Sequence, residues 1–183
     1  MRSFIFLTFS LFLLLQVSFA NEANKITGYT KVQDGVLLNT QTGVTKLRVI
    51  SDKIIQVIVS PQKSIKNTPN LSEVENLPVF KSFKVSESKT EILLQTKQLT
   101  VRVSKGDARI SYFDNHGKLI LAETAKGKMI KANFQPKDSA YIVQQSFDSP
   151  KDEAIYGLGQ YQYDIMNWEN AHMVMQQKNT AIA

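Results

Sequence analysis

The chain contains no cysteine. That absence excludes a disulfide framework, a thiolate metal site and a lipid-modified cysteine. Histidine is nearly as scarce, with two residues, His116 and His172. His116 lies in an Asp-Asn-His-Gly turn with no catalytic partner, and His172 has no second histidine or carboxylate at metal-ligand spacing, so the expectation is no metal site and no cofactor. The 22 Lys and Arg outnumber the 16 Asp and Glu, yet no two basic residues are adjacent; the nearest to a cluster is Lys126-Gly127-Lys128. Nucleic-acid binding uses a basic stripe with aromatic platforms, and this dispersed charge is a solvated surface instead. No G-x-S-x-G turn occurs, which removes the hydrolase nucleophile elbow. Also missing is any long amphipathic helical pattern in the body of the chain.

One long apolar run is present, and it stands at the start. Arg2 precedes Phe4 to Leu15, and Ser18-Phe19-Ala20 places small residues where a signal peptidase reads. The run falls short of the roughly 20 apolar residues of a spanning helix and is broken by Thr8, Ser10 and Gln16. Residues 1–20 are therefore expected to be a cleaved secretory signal peptide, leaving no membrane span. An exported protein without disulfides suits a periplasm or a bacterial exterior. What remains, residues 21–183, suffices for one domain with a sizeable core.

From Ile26 to Gln145 the pattern is short strands punctuated by turns. Leu99-Thr100-Val101-Arg102-Val103 alternates, sending Leu99, Val101 and Val103 to one face. Lys46 to Val49 alternates likewise, whereas Ile54 to Val59 is nearly continuous and β-branched, the pattern of a strand covered on both sides. Gln33-Asp34-Gly35, Ser51-Asp52-Lys53 and Asp114-Asn115-His116-Gly117 have turn chemistry. The polar, proline-bounded stretch Asn67 to Pro78 is expected to be a surface loop, and Ala122 to Asp138 strands with long connections. The expected fold class is all-β, an antiparallel β-sandwich.

The C-terminal region concentrates the unusual residues. Ile155 to Trp168 holds the only Trp, three of the six Tyr and Gly157-Leu158-Gly159. A dinucleotide fingerprint would need a third glycine where Gln162 stands, so a tight turn after a strand ending at Tyr156 is the reading. Tyr161, Tyr163 and Trp168 suit either core packing or a sugar platform, because aromatic faces take the C–H face of a sugar while Gln and Asn bond its hydroxyls.

Ala154 to Gln162 (AIYGLGQYQ), Met166-Asn167-Trp168 and Gln176 to Thr180 (QQKNT) resemble the end of the N-terminal domain in glycoside hydrolase family 31, a family of α-glucosidases, α-xylosidases and relatives. Leu47 to Pro61 is similar to its early strand pair, Arg109 to Glu123 to its later hairpin, and Gln145 to Asp148 to the strand before the Tyr-Gly-Leu-Gly turn. Tyr161 stands in a common His place, Asp164 where Gly is usual, and Ala181 where Glu is common. The resemblance implies a galactose mutarotase-like sandwich over residues 21–183. Residues 154–183 would lead toward a (β/α)₈ catalytic barrel that these residues do not contain.

Retaining cleavage needs two carboxyl groups about 5 Å apart. The family's two catalytic Asp lie in that barrel, so no catalytic residue is expected here. The chain is then an exported domain, ended early by a truncated gene or an incomplete gene model and inactive alone. It shapes the sugar pocket of an α-glycosidase, with Gln162, Asn167 and Trp168 as contacts to an α-linked oligosaccharide or glycoside. The alternatives are a free-standing carbohydrate-binding module, or an interaction protein that shares only the sandwich.

Overall fold

Among the described residues, ten strands, all paired antiparallel, form two sheets. The structure, a computed structural model, describes residues 24–66, 78–135, 138–157 and 165–174. The expected leader and most of the Asn67 to Pro78 loop lie outside those residues. No helix is present among the described residues, and none there is long and apolar enough to cross a membrane.

The first sheet is a meander of β1 (Ile26–Val32), β2 (Gly35–Thr40), β3 (Gly43–Ser51) and β4 (Ile54–Ser60). Its turns fall where short polar residues stand: Val32 pairs with Gly35 across Gln33-Asp34, and Ser51 with Ile54 across Asp52-Lys53. Asp34 also draws in Lys46 Nζ at 2.8 Å and Arg48 Nε at 3.4 Å, fixing the outer face of β3.

The second sheet runs β10-β9-β8-β7-β6-β5. Its strands are β5 (Lys84–Glu87), β6 (Glu91–Gln95), β7 (Leu99–Ser104), β8 (Ile110–Asp114), β9 (Leu119–Gln135) and β10 (Asp138–Phe147). The β8–β9 turn is the expected Asp-Asn-His-Gly. There Asp114 Oδ1 accepts from the amides of His116 and Lys118, both at 2.8 Å, and these bonds hold its carboxyl below the usual range.

The period-two alternation builds the core. Val36, Leu38, Leu47 and Val49 from the first sheet meet Ile92, Leu94, Val101, Val103 and Ile110 from the second, with Phe83 closing one side. Burying each of the larger aliphatics contributes about 1.5–3 kcal/mol. The sheets are also stitched at their ends, since Ile26 N donates to Lys105 O at 2.9 Å and Thr96 Oγ1 to Asp52 O at 2.7 Å. This is the expected antiparallel sandwich.

Three local expectations are corrected. β4 is an edge strand, so Ile55 and Val57 pack on the core while Gln56 and Ile58 on the opposite face are only half-buried; the continuous apolar run does not mean cover on both sides. Ala122 to Gln135 lies in one long strand interrupted by a bulge, not in several strands with long connections. No strand ends at Tyr156: β10 stops at Phe147, and residues 153–157 are irregular.

Candidate functional site

Beyond β10, two described segments, residues 148–157 and 165–174, come together. A two-rung bridge joins the two segments. Trp168 N donates to Ile155 O at 2.8 Å, and Ile155 N donates to Asn167 Oδ1 at 2.9 Å. Asn167 thereby imitates a strand neighbour with its side chain, since an extended residue offers one N–H and one C=O to its partner. The same oxygen accepts from Glu169 N at 3.1 Å, a local Asx turn. Asn170 follows in the left-handed region, φ 58°, a conformation Asn tolerates better than most residues. Ala171 N then donates back to Trp168 O at 3.0 Å.

Of the three expected sugar contacts, the structure brings Asn167 and Trp168 together at this bridge, and Gln162 lies outside the described residues. Asn167 is exposed; its oxygen is committed to the backbone, while no described residue bonds its amide NH₂ group. Trp168 is buried, at 8% exposure. Around it the surface is apolar: Tyr156 is 63% and Met166 80% exposed, with Ile155 and Ile165 also open. Gly157 has φ 93°, a left-handed conformation that glycine adopts without steric cost.

A second feature went unread in the sequence. In β9, Gln145 of β10 pairs with Lys128 and Phe147 with Glu123, so Thr124 to Gly127 loop out as a bulge. The bulge swings Lys128 back over Glu123, whose buried carboxylate receives Lys128 Nζ at 3.0 Å on one oxygen and Ile110 N at 3.0 Å on the other. A buried carboxylate has to be compensated in this way. Burial, and secondarily the nearby Glu123 charge, pushes the Tyr112 hydroxyl up to about 12. The only sequence trace of the bulge is the Lys-Gly-Lys run.

Beyond the bulge, β9 and β10 leave the sheet as a two-stranded arm, because β8 pairs only with Leu119 to Ala122. Direct pairing of Ile130 with Val143 and of Ala132 with Tyr141 puts an apolar row on one face. Phe134 meets Tyr141 edge to face, with ring centroids 6.2 Å apart. Phe134 and Val143 are 64% and 66% exposed.

The described carboxylates are mostly engaged in structure. Glu123 is paired with Lys128, Glu87 with Lys105 and Asp34 with Lys46, while Asp52, Asp107 and Asp114 accept turn amides. His116 stands in the β8–β9 turn and no group of metal-binding side chains occurs among the described residues.

Residues 44–178 match the profile of the glycosyl hydrolase 31 N-terminal galactose mutarotase-like domain. "Alpha-glucosidase 2" of Bacillus thermoamyloliquefaciens is 29% identical over 86 residues, covering 47% of this chain and 11% of that protein. A GH31 α-xylosidase of Xanthomonas citri superposes with a TM-score of 0.73 at 31% identity, over 81% of this chain and 16% of that one. A GH31 dextranase of Flavobacterium johnsoniae, complexed with glucose, shares the fold at a TM-score of 0.66 and 18% identity, over 82% of this chain and 18% of that one. The chain thus spans less than a fifth of the length of each of these relatives.

Proposed function

Because this chain belongs to glycoside hydrolase family 31, through its N-terminal galactose mutarotase-like domain, we propose that it serves an exported α-glycosidase acting on α-glucosides or α-xylosides. Residues 1–20 direct export to the periplasm or cell exterior. Residues 21–183 form the sandwich, and from residue 154 onward the chain leads to the catalytic (β/α)₈ barrel and lines the mouth of its sugar pocket. Bond cleavage belongs to two carboxylates of that barrel, so the 183 residues alone are inactive.

The observation that carries this reading is the apolar surface around the Ile155–Asn167 bridge, joined to the family match. A sandwich with a complete core of its own has no internal use for an open Tyr156 and Met166, and such patches mark docking surfaces. Gln162, Asn167 and Trp168 are the sugar-facing residues in this reading. Asn167 retains an amide donor for a hydroxyl, and Trp168 braces the segment from beneath.

The test is an assay of the 183-residue chain on nitrophenyl α-glucoside and nitrophenyl α-xyloside. No turnover above a no-enzyme control is expected. Joining the chain to a family 31 barrel should bring activity that falls when Asn167 is changed to Ala. Turnover by the chain alone would overturn the proposal.

A further inference from the structure

At one end of the sandwich, away from the Ile155–Asn167 bridge, the two sheets part around a cleft of about 480 Å³. That volume lies within the range of small-ligand sites. None of its lining comes from residues 154–174. Val44, Val59, Pro61 and Ile130 supply apolar wall, and Thr45 and Glu123 supply the buried polar groups.

Thr45 is the group that calls for a ligand. Its β3 position alternates with Leu47 and Val49, so its side chain stands on the core face, and the residue is 5% exposed. Its backbone is paired with Leu38 and Val59 on either side, but no described residue bonds its hydroxyl. Buried hydroxyls are ordinarily satisfied, and one opening onto a cleft is free to bond what enters it. Glu123, in contrast, has both oxygens engaged by Lys128 and the Ile110 amide, so the deepest charge is already balanced. The other charges of the lining, Asp107, Arg109 and Lys126, are exposed or half-buried, whereas at the buried end a hydroxyl can both donate to and accept from Thr45.

The backbone of the rim points the same way. Two of the three non-glycine residues in the left-handed region among the described residues, Ala108 at φ 55° and Lys126 at φ 58°, border this cleft. Such conformations persist only where surrounding structure enforces them, and they cluster at binding sites. The apolar walls suit the C–H faces of a ring.

We propose that this cleft between β3 and the β9 bulge binds one uncharged, polyhydroxylated ring of monosaccharide size, hydrogen-bonded to Thr45. The site is separate from the pocket mouth and does not depend on the catalytic reading.

The experiment is an NMR titration of the full chain with D-glucose and D-xylose into the tens of millimolar, using D-glucuronate and inorganic phosphate as charged controls. Amide shifts are expected at Thr45, Gly127 and Met129. Thr45→Val, which keeps the shape but removes the hydroxyl, should weaken binding about tenfold; Thr45→Ser should retain it. Three outcomes overturn the proposal: no sugar-induced shift at the cleft, shifts that Thr45→Val leaves unchanged, or shifts with the charged controls alone. Shifts confined to residues 155–168 would also overturn it, while supporting the separate reading of the pocket mouth.

Discussion

Tyr112 packs its ring against the sandwich core, and burial together with the Glu123 carboxylate resists the loss of its proton. In the unfolded chain the group titrates near 10.0, and in the fold near 12. Between those values the folded state binds more protons than the unfolded state, so stability falls as pH rises. The stabilisation is fully present below the lower value and lost as pH passes the upper one. Its size is of order 2 kcal/mol. Tyr112→Phe has no proton to lose, so thermal unfolding across that window should show a shallower decline for the variant; parallel profiles would refute the assignment.

Asn167 illustrates another residue-scale role that spacing conceals. Its oxygen holds the amides of Ile155 and Glu169, and the first of these lies twelve positions away. The sequence marks Asn167 only as an expected sugar contact and not as a structural bridge, because a side chain substituting for a neighbouring strand leaves no periodic trace. Asn167→Ala should raise hydrogen exchange at both amides, since each loses its acceptor. Asn167→Asp, which keeps an oxygen there, should protect them. If exchange at Ile155 is the same in the wild type and Asn167→Ala, the bridge is not held by this side chain.

Among the elements, the strands of the two meanders were largely legible and the β9 bulge was not. Val101 and Val103 are buried as their alternation requires, and the turns at Gln33-Asp34, Asp52-Lys53 and Asp114 to Gly117 lie where Asp, Asn and Gly predict them. In Ala122 to Gln135, by comparison, the alternation resumes only at Ile130, Ala132 and Phe134, and beyond the sheet these residues stay largely open because the arm has no paired neighbour in the second sheet. Period two shows an apolar face but not that this domain leaves it open. Nor can it reveal a bulge, which shifts the alternation midway. Gly127 is the residue the bulge depends on: a Cβ there would stand 2.8 Å from Ser146 O, a backbone atom that can withdraw only by disturbing β10. Gly127→Ala should therefore cost about 1–3 kcal/mol by overpacking. Ala125→Ser, on the exposed crown of the same bulge, should change stability by less than about 0.5 kcal/mol. Denaturant unfolding of the two variants measures the difference, and equal stabilities would show that the bulge can rearrange freely.

At the scale of the molecule, the distribution of apolar surface is informative. The core residues between the sheets are buried, yet Phe134, Tyr141 and Val143 line one face of the arm and Tyr156 and Met166 stand open near the Ile155–Asn167 bridge. A two-stranded ribbon is marginally stable alone, and open β10 main chain along its edge is a template for unwanted pairing. Such a ribbon is sustained by something packed on it, and in the proposed enzyme that is the catalytic barrel. The 183-residue chain by itself should therefore bind an apolar dye and self-associate as its concentration rises. Replacing Phe134 and Val143 together by Ser should suppress association while leaving the melting temperature nearly unchanged, because exposed positions contribute within about 0.5 kcal/mol. Sedimentation velocity and dye fluorescence distinguish the outcomes. A double variant that associates as readily as the parent would locate the sticky surface elsewhere, and one that melts much earlier would mean that the arm's apolar row supports the sandwich itself instead of awaiting a partner.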